Sequence, residues 1–453
     1  MASVPIVHRT FHVRNALVSY KNTCGDSAPR TTIKGQTQVT IGKTPKFKKV
    51  AATNDVDTGV LLFKMEGERI LPGSWCSSCR NGGTTILCTL CQINSICTEC
   101  IDFESEKDDP DPIPFECPSC FLKKNKFGEF PFKFRSTSST RQNWPQVLAT
   151  PLAIISIHLK GMNDTPSVVT YYHLLPWLQG NLVHVNLNFS FQSSDNDFES
   201  RLNTMLDRFE FGDLKEPYDP WCRFLIFITS HSDPNTGYIH IGPNNIGSVP
   251  IEELLNVVFS TCFQNILRCS DSNILSLLSC GALSTREDSK GAVKEFANRE
   301  LFGKIICFDQ PNFQTFFIHG FVMDLGLHHF IYNRTKLDNL LLDQQELGAH
   351  TNIVEFHPQN VSTFKWSHPG ARPMGVGISK QCHRCGWLKT MNPTVSMDNL
   401  KVVLKCSQCK FMNTYDFPTG WKWVHGPAKR DEHGSWMVFV DSEENKNVID
   451  TTW

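Results

Sequence analysis

The chain lacks any apolar run long enough to cross a bilayer. Stretches such as Leu152 to Ile157 and Phe224 to Ile228 fall far short of the ~20 residues that a spanning helix needs. It also lacks net charge. Its 44 basic and 45 acidic side chains leave a formal −1, which argues against a general phosphate-neutralising surface but leaves a local basic patch, and so a nucleic-acid partner, open. Met1 to Arg14 mixes apolar, polar and basic residues without the apolar core of a secretory signal. No internal repeat is found. These absences lead to the expectation of an intracellular protein, nuclear or cytoplasmic, with no membrane association. At 453 residues, two to four domains are expected.

What the chain does have is cysteine in pairs. Twelve of eighteen fall in six C-x-x-C pairs: Cys76/Cys79, Cys88/Cys91, Cys97/Cys100, Cys117/Cys120, Cys382/Cys385 and Cys406/Cys409. Two intervening residues let a tight turn aim both sulfurs at one ion, and tetrahedral zinc takes two such pairs. Six pairs therefore predict three zinc ions, two within 76–120 and one within 382–409. A disulfide framework is the competing account, but secreted frameworks seldom space every pair this way, and thiolate sites need a compartment that keeps thiols reduced.

The first eight ligands run C-x2-C-x8-C-x2-C-x5-C-x2-C-x16-C-x2-C. This suits a cross-braced module, pairs one and three on one ion and pairs two and four on the other. It resembles a PHD finger, including an aromatic residue, Phe115, two positions before the seventh ligand. It departs from that family at the fifth ligand, where PHD fingers carry His and this chain has Cys97. The gap between Cys91 and Cys97 is too long for a RING finger, which speaks against a ubiquitin ligase. The basic motif of FYVE fingers is missing around Cys88 and Cys91. The PHD resemblance implies a peptide ligand such as a histone tail, with Trp75 as one wall of a cation–π cage. The alternative is Trp75 packed on the zinc core, with the module serving as a brace. The second cluster, with twenty residues between its pairs, looks like a zinc ribbon.

Between the clusters, about 147–335, strand patterns alternate with amphipathic helices. Ala153 to Leu159, Leu182 to Phe191, Arg223 to Thr229, Asn273 to Ser279 and Lys304 to Phe308 read as strands. Val168 to Leu178, Phe198 to Phe209, Ile251 to Leu267, Ser289 to Arg299 and Phe316 to Phe330 read as helices. The fold class expected is α/β, a mostly parallel sheet covered by helices on both faces, with two small zinc-stabilised modules. Active sites in such sheets gather at the carboxyl ends of strands. One predicted strand runs into Ser230-His231-Ser232, and another, with its cysteine forty-nine residues after His231, into Ser279-Cys280-Gly281-Ala282.

A strand ending in Cys with small residues after it, preceded at this distance by a strand ending in His, resembles the caspase-like clan of cysteine peptidases, most closely its CHAT branch. Leu278-Ser279-Cys280 stands where that branch usually reads leucine, serine, alanine, cysteine. The resemblance implies Cys280 as nucleophile, His231 as general base, and an oxyanion hole from the backbone N–H groups of Cys280 and Ser232. The family generally has Gly after the His, so Ser232 is a departure that would narrow the cleft or distort the oxyanion donor. Cys222, Cys262, Cys269 and Cys307 read as small buried hydrophobes, and His158, His184, His240 and His319 as scaffold or surface residues.

The organisation expected is an N-terminal region of unknown role (1–72), a PHD-like two-zinc finger (73–124), a linker (125–146), the caspase-like domain (147–335), a connector (336–380), and a ribbon with a Trp-rich C-terminal region (381–453). The function expected is a cysteine endopeptidase that acts on a protein or peptide substrate and is directed by its zinc modules, with a regulatory protein partner. The alternative is a catalytically inactive zinc-binding scaffold or chromatin reader.

Overall fold

A computed structural model describes residues 52–54, 61–64 and most of 73–441; within that range the longer stretches left undescribed are 103–113, 136–146, 192–196, 211–222, 396–400 and 426–433. The basic run Lys43 to Lys49, the acidic stretch Glu104 to Asp111, Cys222 and Trp453 lie outside the described residues.

The centre of the molecule is a sheet whose five middle strands are β1 (Leu152–Leu159), β2 (Leu182–Phe189), β3 (Phe224–Thr229), β4 (Ile274–Leu278) and β5 (Lys304–Phe308). They lie in the order β2-β1-β3-β4-β5 and every neighbouring pair is parallel. All residues of β1, β3, β4 and β5 are buried. This is why their sequences are apolar almost throughout instead of alternating: helices cover both faces.

On one face pack α2 (Phe198–Glu210), α3 (Ile251–Val258), α4 (Thr261–Leu267) and α5 (Glu287–Ala297), against Ile155, Ile157, Ile226 and Leu277. On the other lie α1 (Thr165–Leu178) and α6 (His319–Gly326), against Ile154, Leu225, Phe227 and Ile306. Adjacent strand residues thus feed opposite cores.

The structure departs from the expected pattern in three places. The helix expected over 251–267 is two helices, because the chain breaks at Phe259 and Ser260 caps the second through its Oγ, which accepts from the Phe263 N–H. The expected helix over 316–330 is a 3₁₀ turn (Thr315–Ile318), then α6, then a π turn (Leu327–Ile331).

The sheet also extends past the expected limit at 335. The strands β6 (Ile353–Phe356) and β7 (Val361–Ser367), from the expected connector, and β8 (Ser435–Asp441), from the expected ribbon region, join it antiparallel beyond β5. Leu61–Lys64 and Ala52–Asn54, from the region of unknown role, add antiparallel beyond β2. The parallel character therefore belongs to the centre and not to the flanks. Parallel neighbours need a helix-length crossover, whereas β6 and β7 are joined by a turn of four residues, 357–360. Among the described residues no helix is long and apolar enough to cross a membrane.

Candidate functional site

The twelve paired cysteines form three tetrads: Cys76, Cys79, Cys97 and Cys100; Cys88, Cys91, Cys117 and Cys120; Cys382, Cys385, Cys406 and Cys409. The first two interleave, pairs one and three together and pairs two and four together, as a cross-brace requires. Within each tetrad all four sulfurs lie within 4.8 Å of one another. A Zn–S bond of about 2.3 Å sets the edge of a tetrahedron near ~3.8 Å. The separations Cys79–Cys97 at 3.7 Å, Cys91–Cys117 at 4.0 Å, Cys382–Cys409 at 3.5 Å and Cys385–Cys406 at 3.7 Å match that edge. The described residues hold three zinc sites.

Four of the six pairs share one backbone turn. Arg80, Gln92, Gly386 and Lys410 each follow the second cysteine of a pair with a positive φ of 62°, 53°, 72° and 61°. In each, the N–H of that residue donates to the carbonyl of the first cysteine, for example Arg80 to Cys76 at 2.8 Å and Lys410 to Cys406 at 3.1 Å. Only Gly386 is the residue type that adopts this conformation without strain, so ligation holds the other three there. Further N–H groups support the sulfurs: Cys97 N–H donates to Cys76 Sγ at 3.3 Å and Cys117 N–H to Cys88 Sγ at 3.2 Å. Burial and the neighbouring thiols push Cys97 and Cys120 upward, so four thiolates together need a cation.

Phe115 is buried in the first module, edge-on to Phe132. Trp75 does neither of the things expected of it. Its indole N–H donates to the carbonyl of Trp177 at 3.3 Å, its ring lies 5.1 Å from the Trp177 ring, and it packs on the core beneath α1 and α6. The third tetrad is associated with a three-stranded ribbon, Met391–Val395, Lys401–Cys406 and Met412–Asp416. Its apolar base packs on Met374 and on Met437 of β8.

The expected catalytic pair lies at the carboxyl ends of β3 and β4, which are neighbours. Their register pairs Thr229 with Leu278, so His231 and Cys280 both stand two residues beyond the same rung. Ser230 N–H continues the ladder to the Leu278 carbonyl at 3.2 Å. Ser232 is buried, and its hydroxyl donates to the Cys280 carbonyl at 2.9 Å. The Ser232 side chain thus ties the two loops together. Ser232 bridges Ile239 through bonds made by its neighbours, Asp233 N–H to the Tyr238 carbonyl and His240 N–H to the His231 carbonyl. Its own N–H takes no part in that ladder.

Contacts that the sequence reading missed lock these loops further. Arg286 donates to the Pro234 carbonyl at 2.7 Å and Ser289 Oγ to the Thr236 carbonyl at 3.0 Å. Asp233 Oδ1 accepts from the N–H groups of Asn235 and Thr236, both at 2.9 Å. Burial pushes the Asp233 carboxyl upward, but these bonds outweigh it and leave it lowered. Gly237 has φ +76°, and an added Cβ would sit 2.7 Å from the Ala282 carbonyl oxygen. At Gly281 a Cβ would fall 1.9 Å from the Asp309 carbonyl oxygen, so only glycine fits beside Cys280.

His231 is exposed and Cys280 half-buried. Crowding around the imidazole and the nearby His240 lower its pKa. Among the described residues, neither the His231 ring nor the Cys280 sulfur is hydrogen-bonded, to the other or to any third group. Of the remaining cysteines, Cys307 is buried in β5 and Cys262 packs on the core, while Cys269 is exposed at the end of α4, contrary to expectation. His158 and His184 are scaffold residues, bonded to Asn186 at 2.8 Å and to Ser167 at 2.9 Å. Comparison with models of known protein families and with curated proteins gives no match.

Proposed function

We propose that the chain is a cysteine endopeptidase of caspase-like, CHAT type, with Cys280 as nucleophile and His231 as general base. The observation that carries this reading is the level placement of the two residues just beyond paired rungs of adjacent parallel strands. In this reading the Cys280 thiol gives its proton to His231 and its sulfur adds to the scissile carbonyl carbon. The oxyanion so formed faces the N–H groups of Cys280 and Ser232. His231 returns the proton to the leaving amine, and water then hydrolyses the thioester. A lowered imidazole pKa favours this role, because the ring is neutral and able to accept a proton at pH 7.

The first module, a PHD-like cross-brace, and the ribbon would direct the enzyme to its substrate, and tetra-thiolate sites are in keeping with a reducing compartment such as the nucleus or cytoplasm. Because Trp75 lies against Trp177, a peptide cage on the first module would need other walls.

One observation favours the second reading, an inactive zinc-binding scaffold. Among the described residues no third group orients the His231 ring, and no bond links it to Cys280.

The test exposes a diverse peptide library to zinc-loaded wild type and to Cys280→Ala, with cleavage read by mass spectrometry. Cuts made by the wild type and reduced about a thousandfold or more in Cys280→Ala are expected. The pH profile is a second readout. With its pKa lowered, His231 is deprotonated from a pH below its ordinary value of about 6.5 upward, so activity rises with pH through a midpoint below that value and stays on above it. No cuts from either protein would support the scaffold.

A further inference from the structure

Positive charge gathers where the first zinc module meets the α/β domain. Arg80, in the left-handed position after Cys79, lays its guanidinium carbon 4.0 Å from the centre of the Tyr332 ring. The Arg334 guanidinium approaches the same ring at 5.7 Å, and the backbone N–H of Arg334 donates to the His328 carbonyl at 2.8 Å. The His328 ring lies 6.0 Å from that of Tyr332. Two guanidiniums and an imidazole, from two separate modules, converge on one aromatic ring.

Their hydrogen-bonding capacity is not met by the protein. Arg80 Nε, Arg334 Nε and His328 Nδ1 are each closed off from solvent with no partner among the described residues. Neither guanidinium forms an ion pair with a described residue. The three groups also feel one another. Burial, then Arg334 and Arg80, lower the His328 pKa against the opposing pull of Asp324 and Asp343. Those carboxylates lie on the His328 side, where Gln344 Nε2 donates to Asp324 Oδ2 at 2.7 Å and His173 is a further neighbour.

The Tyr332 ring face accounts for the position of Arg80 over it, since a cation is drawn to a ring face. It leaves the in-plane N–H donors unanswered, and buried polar groups are seldom left so. Water would satisfy the donors but not the like charges. A tetrahedral oxyanion does both, because a guanidinium fork matches two of its oxygens.

We propose that Arg80, Arg334 and His328 form a binding site for a small phosphate-class oxyanion at the seam between the first zinc module and the α/β domain. The enclosed donors suit a free small anion more than a phosphate carried on a protein surface. Bound there, the anion fastens the module to the domain. This proposal does not depend on the peptidase reading.

The test is calorimetric titration of the full zinc-loaded chain with inorganic phosphate, ionic strength held constant with chloride. One phosphate per chain is expected, with affinity reduced about tenfold or more in Arg80→Gln and in Arg334→Gln, as the loss of a charge-assisted hydrogen bond implies. Arg80 adjoins a zinc ligand, so the zinc content of its variant is measured; if it falls below that of wild type, Arg334→Gln and His328→Asn decide. Absence of phosphate binding by the wild type overturns the proposal. So does binding by folded Arg334→Gln and His328→Asn that equals the wild type.

Discussion

Two zinc knuckles in this chain have the same backbone and opposite surroundings. Cys76 to Arg80 and Cys382 to Gly386 close with the same hydrogen bond, at 2.8 Å in each, and the same left-handed residue after the second cysteine. The tryptophan beside the first, Trp75, lies against Trp177, and Arg80 stacks on Tyr332. The tryptophan beside the second, Trp387, is 63% exposed, next to Leu388 at 69%. Metal ligation therefore fixes the turn and leaves the orientation of its flanking side chains to packing. A knuckle is a local device, and whether it braces the molecule depends on residues outside the ligand set.

Removing metal is the strongest way to break this comparison, because it should abolish what the two knuckles share. Structural zinc of this kind binds with an apparent free energy of about 10–16 kcal/mol, most of which is folding energy of the module. Metal analysis should find three zinc ions per chain in the wild type, and one fewer in either Cys79→Ser or Cys385→Ser. Limited proteolysis should then cut within 76–120 in the first variant and within 382–416 in the second. Cleavage confined to the same sites in both variants would mean that the modules are not independent.

What was legible in the sequence follows the same division between local and distant determinants. All twelve ligands could be read from C-x-x-C spacing, and even the interleaving of the first two tetrads, because a ligand pair is a statement about two residues three apart. Of the five parallel strands, β1, β3, β4 and β5 were legible because burial on both faces makes their apolar runs continuous, and β2 because its apolar residues alternate. The ends of β3 and β4 followed from those runs, and with them the positions of His231 and Cys280. The ties between their loops were not legible. Arg286 meets the Pro234 carbonyl across 52 positions, and nothing local marks an arginine for such a bond. Strands β6, β7 and β8 escaped for a related reason: they extend the sheet from segments whose short patterns carry weak periodicity, and only pairing with β5 and with one another shows their role. Ser232 was recognised as a departure, but its bond to the Cys280 carbonyl was not legible, because a hydroxyl's partner depends on the facing loop.

Truncating the tryptophan that faces inward sharpens the contrast next. Trp75→Ala removes a half-buried ring, its contact with Trp177 and the hydrogen bond to the Trp177 carbonyl. A loss of about 2–3 kcal/mol is expected, below the full cost of truncating a core aromatic because the ring is not wholly enclosed. Chemical denaturation should show it as a lower midpoint, with all three zinc ions retained when metal is measured on the folded protein. A variant as stable as the wild type would mean that the seam between module and domain contributes little.

The smallest effect belongs to the tryptophan that faces outward. Trp387 follows the ribbon's knuckle, and its carbonyl accepts from the Cys382 N–H at 3.0 Å, a backbone bond that any residue can supply. The ribbon's buried base is formed instead by Val402, Leu404 and Met391 packed on Met374 and Met437. Trp387→Ala leaves both the bond and the base in place, so the change in stability should stay within about 0.5 kcal/mol, as for surface substitutions in general. The same denaturation experiment that lowers the midpoint for Trp75→Ala should leave it unmoved here. Equal losses at the two positions would erase the distinction between a knuckle that braces the molecule and one that does not, and would require that the ribbon's exposed tip hold part of its own fold.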